Sequence, residues 1–139
     1  MKRIIPLLIL TLVCLNVSAQ NQKLLVKGLM ATNQTATMNV ESAAFKSVLI
    51  NPNGNPTANN TTYKYYFKRR MDNRSPKIAQ GAKTGRVYSQ AQVWTKDHAG
   101  KVVKYKLQNA FISMYAEHYE NGKPPMETFV VTYQNRTKI

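Results

Sequence analysis

The chain has one cysteine, one tryptophan, two histidines and only 6 acidic residues among 139. Each shortage excludes something. A lone cysteine, Cys14, leaves no partner for a disulfide within the chain and no thiolate metal cluster. His98 and His118 lie far apart, and neither a His-x-x-x-His nor a Cys-x-x-Cys spacing occurs. The acids are Glu41, Asp72, Asp97, Glu117, Glu120 and Glu127. They offer no evident carboxylate pair, no nucleophile with a neighbouring base and no phosphate-cradling glycine loop; Gly81 and Gly85 fall in or after a helix. These absences argue for a non-enzyme without catalytic residues, cofactor, metal or small-molecule substrate. Long apolar runs are also scarce, and the mean hydropathy of −0.41 argues against a chain that crosses a membrane repeatedly.

The one apolar run lies at the start. Residues 1–19 read MKRIIPLLILTLVCLNVSA, with Lys2 and Arg3 ahead of the apolar stretch Ile4 to Leu15 and a small-residue site at Val17-Ser18-Ala19. This is the layout of a signal peptide cleaved near Ala19, so the expected location is outside the cytoplasm, secreted or periplasmic. The stretch is shorter than the about 20 residues of a membrane span, and Val13 before Cys14 does not suit lipidation. Removing residues 1–19 takes away the cysteine and two basic residues. The formal charge falls from +14 to +12, and residues 20–139 remain as one domain large enough to build its own core.

Hydrophobic alternation predicts mostly strands. Lys23 to Met30 is apolar enough for a first strand, and Thr37 to Asn51 forms a second with a bend or bulge near Ser42-Ala43-Ala44. In Thr62 to Arg70, Tyr63, Tyr65 and Phe67 share one face, while Lys64, Tyr66 and Lys68 take the other. Ser75-Pro76 opens a helix with Ser75 as cap, and Gly85 closes it. Val87 to Lys96 alternates with Val87, Ala91 and Val93 on one face, and Asp97-His98-Ala99-Gly100 turns the chain. Lys101 to Tyr119 is one long strand whose apolar phase slips after Leu107, as at a bulge. Asn121-Gly122 marks a hairpin, and Met126 to Tyr133 closes the domain. The expected fold is mainly β, a barrel or sandwich of about six strands with one short flanking helix, in the order β-β-β-α-β-β-β.

Two stretches are candidates for contact with partners. Between the second and third strands lies an Asn- and Pro-rich loop, with Asn51, Pro52, Asn53, Gly54, Asn55, Pro56, Thr57, Asn59 and Asn60. It is longer than the two to five residues of an ordinary hairpin and poor in charge, which suits either a plain surface loop or an assembly contact. Basic residues concentrate at Lys68, Arg69, Arg70, Arg74, Lys77, Lys83 and Arg86, beside Tyr63, Tyr65, Tyr66 and Tyr88. Cations interleaved with aromatics are the composition of a polyanion-binding face for nucleic acid or acidic glycans. The plainer reading, a solvated basic face over a tyrosine-lined core, accounts for the tyrosines by strand alternation alone.

The central segment, Met71-Asp72-Asn73-Arg74-Ser75-Pro76-Lys77-Ile78 followed by an Ala-rich helix and Thr84-Gly85, resembles the Hcp family, the haemolysin-coregulated tube proteins of type VI secretion systems. The resemblance runs on through the strand with Trp94, the strand Val103 to Ser113, and Pro125-Met126-Glu127 with Phe129 to Tyr133. It covers residues 67–136 closely and 23–66 in outline. The positions that carry the motif are Asp72, Ser75, Pro76, Lys77, Ile78, Thr84, Gly85 and Glu127. The resemblance implies a small β-barrel with a flanking helix that forms homo-hexameric rings. Rings would stack head to tail into a tube, with a secretion spike and effector proteins as partners. The loop from Asn51 to Thr61 falls where the family carries an extended loop that touches the next ring. The competing expectation is an exported monomeric module of the same fold that binds polyanions through its basic cluster.

Overall fold

The structure is a computed structural model that describes residues 22–49 and 61–139. The expected signal segment and the Asn51–Asn60 loop lie outside the described residues. Ten strands and one helix follow one another as β1 (Lys23–Lys27), β2 (Thr35–Asn39), β3 (Ser42–Leu49), β4 (Thr61–Arg70), α1 (Ser75–Thr84), β5 (Val87–Tyr88), β6 (Ala91–Lys96), β7 (Val102–Gln108), β8 (Ala110–His118), β9 (Met126–Tyr133) and β10 (Asn135–Lys138). They form two antiparallel five-stranded sheets, a first in the order β10-β7-β6-β1-β2 and a second in the order β3-β4-β9-β8-β5. Ladder pairing stays within each sheet among the described residues, so the body is a sandwich and not a closed barrel.

The strand count exceeds the six expected because several stretches that read as one strand cross from one sheet to the other. Thr37 to Asn51 divides at Val40-Glu41, two residues before the expected bend, where the chain leaves β1 and joins β4. Val87 to Lys96 divides at Ser89-Gln90; β5 pairs with β8 and β6 with β1 and β7. Val87, expected on one face with Ala91 and Val93, is therefore 53% exposed while those two are buried, and Tyr88 is buried in its place. Lys101 to Tyr119 divides at Asn109, whose positive φ of 51° turns the chain out of the first sheet. Asparagine tolerates that left-handed conformation better than most residues. The phase slip after Leu107 is thus a change of sheet. A separate bulge does interrupt β8, between Ile112 and Met114. After Tyr133 the chain continues through Gln134 into an unexpected tenth strand that pairs with β7.

Asn109 and Gln134 are both single-residue crossings between the sheets, and they touch. The Gln134 backbone N–H donates to the Gln108 carbonyl at 3.0 Å, and the Asn109 side-chain amide donates to Gln134 Oε1 at 2.5 Å.

Alternating side chains fill the interior. Leu24, Val26, Met38, Val93 and Leu107 from the first sheet meet Tyr65, Phe67, Ile112, Phe129 and Val131 from the second. An aromatic row runs through it. Tyr65 lies 5.6 Å from Tyr133 and 5.9 Å from Phe67, and Phe67 lies 5.4 Å from Phe129, between ring centroids. Such pairs add roughly 0.5–1.5 kcal/mol each beyond the area they bury.

The helix packs beside β8 with Ile78 fully buried. Gly81 is needed there because a Cβ would collide with the Tyr88 hydroxyl and come within 3.3 Å of Ile112 Cδ1. Gly85 ends the helix with φ 65° and donates its N–H to the Gly81 carbonyl at 3.0 Å, as expected of a left-handed C-terminal glycine. The N-terminus differs from expectation. Arg74 occupies the cap position without a side-chain cap bond, and Ser75 is the first helical residue. The Ser75 hydroxyl accepts the Asp72 backbone N–H at 3.0 Å, and Asp72 Oδ1 accepts the Arg74 N–H at 2.8 Å. Asp72 therefore organises the turn that leads into the helix, the task expected of Ser75.

Candidate functional site

Strand alternation places Arg69 on the same face of β4 as Tyr63, Tyr65 and Phe67, which is the inward face. Its residue exposure is 4%, and the register sets it directly opposite Glu127 of β9, which is fully buried. Arg69 Nη1 donates to Glu127 Oε1 at 2.5 Å, and Arg69 Nη2 pairs with Asp72 Oδ2. Arg74 reaches the same Asp72 oxygen at 3.0 Å from the surface. Glu127 Oε2 accepts the Tyr115 hydroxyl at 2.8 Å; Glu117 Oε1 lies 3.1 Å from the same hydroxyl, and Glu117 Oε2 accepts the Tyr119 hydroxyl at 2.7 Å. One buried guanidinium is thus held between two carboxylates, with a phenol behind one of them.

The electrostatics follow from this arrangement. Burial alone would raise the Asp72 carboxyl, but the Arg74 backbone N–H and the guanidinium groups of Arg69 and Arg74 outweigh it and hold it below the ordinary range. Burial pushes the Tyr115 phenol well up, and the carboxylates of Glu127 and Glu117 push it further. The raised phenol keeps its proton and so stays a hydrogen-bond donor to Glu127. A buried ion pair adds little net stability while both partners are present, but losing one partner is costly because the other is left charged and dry. The cluster therefore acts as a clasp that fastens β4, β9 and the turn before α1.

Three of the motif residues converge here: Asp72 and Glu127 are joined through Arg69, and Ser75 accepts the Asp72 backbone N–H. Pro76 sits in the first turn of the helix, Lys77 points into solvent and Ile78 enters the core. Thr84 Oγ1 donates to the Gln80 carbonyl at 3.0 Å, and Gly85 closes the helix. The motif is a folding element of the domain centre.

The basic cluster does not form one face. Arg69 belongs inside, against the expectation that it was available to a polyanion, because the residues two, four and six positions before it on β4 all point inward. Lys68 and Arg70 leave the opposite face of β4, Arg74 is paired with Asp72, Lys77 and Lys83 project from the helix, and Arg86 lies over the Tyr88 ring at 5.3 Å. A cleft of about 730 Å³ at the β8–β9 end is lined by Lys68, Lys123, Glu117, Glu120, His118 and Tyr119, a mixture of both signs of charge. Among the described residues no three of His, Cys, Asp and Glu gather in a group able to hold a metal ion, and no helix is long and apolar enough to cross a membrane.

Sequence reasoning missed a second feature on the outward face of the first sheet. Trp94 of β6 stands there in one row with Lys23 of β1 and Lys104 of β7. The lysine ammonium groups lie 5.4 Å and 4.0 Å from the indole centroid. No sequence run announces it, since the residues come from three distant strands.

No family model matches the chain, and no curated protein does. Solved structures do. A type six secretion system protein superposes with a TM-score of 0.63 at 19% identity, covering 86% of this chain and 83% of that one. The chain has the fold of the Hcp proteins. Hcp2 from Salmonella typhimurium matches at a TM-score of 0.59 and 14% identity, over 84% of this chain and 83% of its own. A type VI secretion system effector from Yersinia pestis matches at 0.62 and 13% identity, over 84% of this chain and 87% of its own. The Hcp fold accounts for the two sheets and the flanking helix and agrees with the family resemblance read from residues 67–136.

Proposed function

We propose that the chain is a non-enzymatic building block that assembles with copies of itself into hexameric rings, stacked as a tube of the type VI secretion kind. The observation that carries this reading is the completeness of the structural likeness. More than four-fifths of this chain lies on more than four-fifths of a type six secretion system protein. A ring requires two different complementary patches on each subunit. Among the described residues the sandwich supports this with unlike open edges, the short β2 on the first sheet and the eight-residue β3 on the second. In this reading the Asn51–Asn60 loop contacts the next ring, the spike and effectors of the apparatus are the outside partners, and the protein acts after export and cleavage near Ala19.

Size-exclusion chromatography with light scattering and negative-stain microscopy on residues 20–139 test it. The expected result is a hexamer with ring-shaped particles; a monomer at every attainable concentration overturns the reading. Deleting residues 51–60 is expected to spare the ring and abolish stacking. Subunits with a net +12 repel one another, so ring formation should strengthen as added salt shortens the Debye length below about 8 Å.

A further inference from the structure

The five strands of the first sheet contain no Asp and no Glu. Their outward positions carry Lys23 and Lys27 on β1, Lys96 on β6, and Lys104 and Lys106 on β7, while Leu24, Val26, Val93 and Leu107 between them face the core. Among the described residues, Lys23, Lys27, Lys104 and Lys106 form no salt bridge. The acid nearest in sequence, Asp97 in the β6–β7 turn, has its Oδ1 occupied by the backbone N–H groups of Ala99 and Lys101, each at 2.9 Å.

Register converts these scattered residues into a pattern. Lys23, Trp94 and Lys104 form one row across three strands, and Leu25, Gln92 and Lys106 form the next. Strand spacing puts the two lysines that flank Trp94 about 10 Å apart, and alternation along β7 puts Lys104 and Lys106 about 7 Å apart. The indole is braced by Gln92 Oε1, which accepts its N–H at 3.4 Å. Lys23, Lys27, Lys104 and Lys106, gathered without a salt bridge, raise the local positive potential, and the flat π-surface among them, Trp94, is already occupied by an ammonium group. A ligand that brings both negative charge and flat aromatic rings answers both features. It draws Lys104 off the ring onto an anionic group and stacks a ring in its place.

We propose that the outward face of the first sheet binds a single-stranded nucleic acid, with phosphates on Lys23, Lys27, Lys104 and Lys106 and a base on Trp94. The inference does not depend on ring formation, because the whole face lies on one subunit. It also differs from the cluster around the helix in using none of its residues.

Trp94 is the sole tryptophan, so the protein's tryptophan fluorescence reports on this face alone. Titrating residues 20–139 with a 20-mer of oligothymidine should quench that emission saturably. With about four phosphate contacts on a single strand, raising salt from 50 to 200 mM should weaken binding about 50-fold. In anisotropy measurements on a labelled oligomer, Trp94→Ala should weaken binding between about 5-fold and 100-fold, and Trp94→Phe should retain most of it. Lys23→Gln with Lys104→Gln should weaken it about tenfold and flatten the salt slope. The matched pair Lys68→Gln with Lys83→Gln should change it less than twofold. An equal loss in the matched pair overturns the assignment to this face. Heparin binding as tight as the oligomer's, together with a neutral Trp94→Ala, replaces the nucleic acid with an acidic glycan held by charge alone. Absence of quenching at 20 mM salt overturns the proposal altogether.

Discussion

The two sheets handle charge in opposite ways. The first buries only apolar side chains, among them Leu24, Val26, Met38, Val93 and Leu107, and displays lysines outward without a single acid in its strands. The second takes a guanidinium and a carboxylate into the interior and ties them to each other. Even Arg136, projecting from the first sheet, is held by the second sheet's rings. It lies 4.1 Å from the Phe45 centroid and donates to the Tyr65 hydroxyl at 2.6 Å. Similar residue types thus serve two ends. Inside the second sheet, charge specifies which strand lies beside which; outside the first, it is left for a partner.

This contrast makes stability the property of one sheet and binding the property of the other. The largest expected effect is Glu127→Ala, which strands Arg69 in the interior and should lower unfolding stability by about 3–5 kcal/mol in urea titration. Next is Gly81→Ala, where the added methyl collides with Tyr88 and should cost about 1–3 kcal/mol in the same assay. Asp72→Asn tests the clasp through pH. A carboxyl held below its unfolded value of about 3.9 stabilises the fold above that pH and loses its contribution as pH falls through the lower, folded value. Wild type should therefore lose stability steeply below pH 4, and the variant should start about 1 kcal/mol lower at neutral pH and show a shallower acid slope, since the carboxylate is one-third exposed. The smallest effect should come from Lys104→Glu with Lys106→Glu, within about 0.5 kcal/mol of wild type. If that pair destabilised as much as Glu127→Ala, the division between the sheets would be wrong.

Much of the fold was legible because local chemistry and tertiary need agree. Ser-Pro before an Ala-rich run and Gly85 after it mark the helix, and the tyrosines of β4 alternate as a half-buried strand must. What escaped notice did so for physical reasons. β10 reads Asn-Arg-Thr-Lys and has no apolar residue to announce a strand; backbone pairing with β7 makes it one. The sheet crossings at Val40-Glu41, Ser89-Gln90 and Asn109 carry no Gly-Pro punctuation, so continuous alternation concealed a change of partner. Arg69 was readable in principle. Counting by twos from Tyr63 puts it inside, but a block of three basic residues invites a surface reading. The Trp94 row was not readable at all, since register between β1, β6 and β7 is a property of the folded sheet.

The corner where Asn109 meets Gln134 has a mechanical consequence. Away from the chain crossings, sliding one sheet over the other disturbs mainly side-chain packing. At this corner two covalent chain crossings lie within a hydrogen bond of each other, so the same displacement must twist two backbone segments together and strain the bonds that join them. A longitudinal push on the molecule is transmitted from sheet to sheet there, as through a rivet, and a longer, slacker connection in place of Asn109 should soften the subunit under load while leaving its rest shape unchanged.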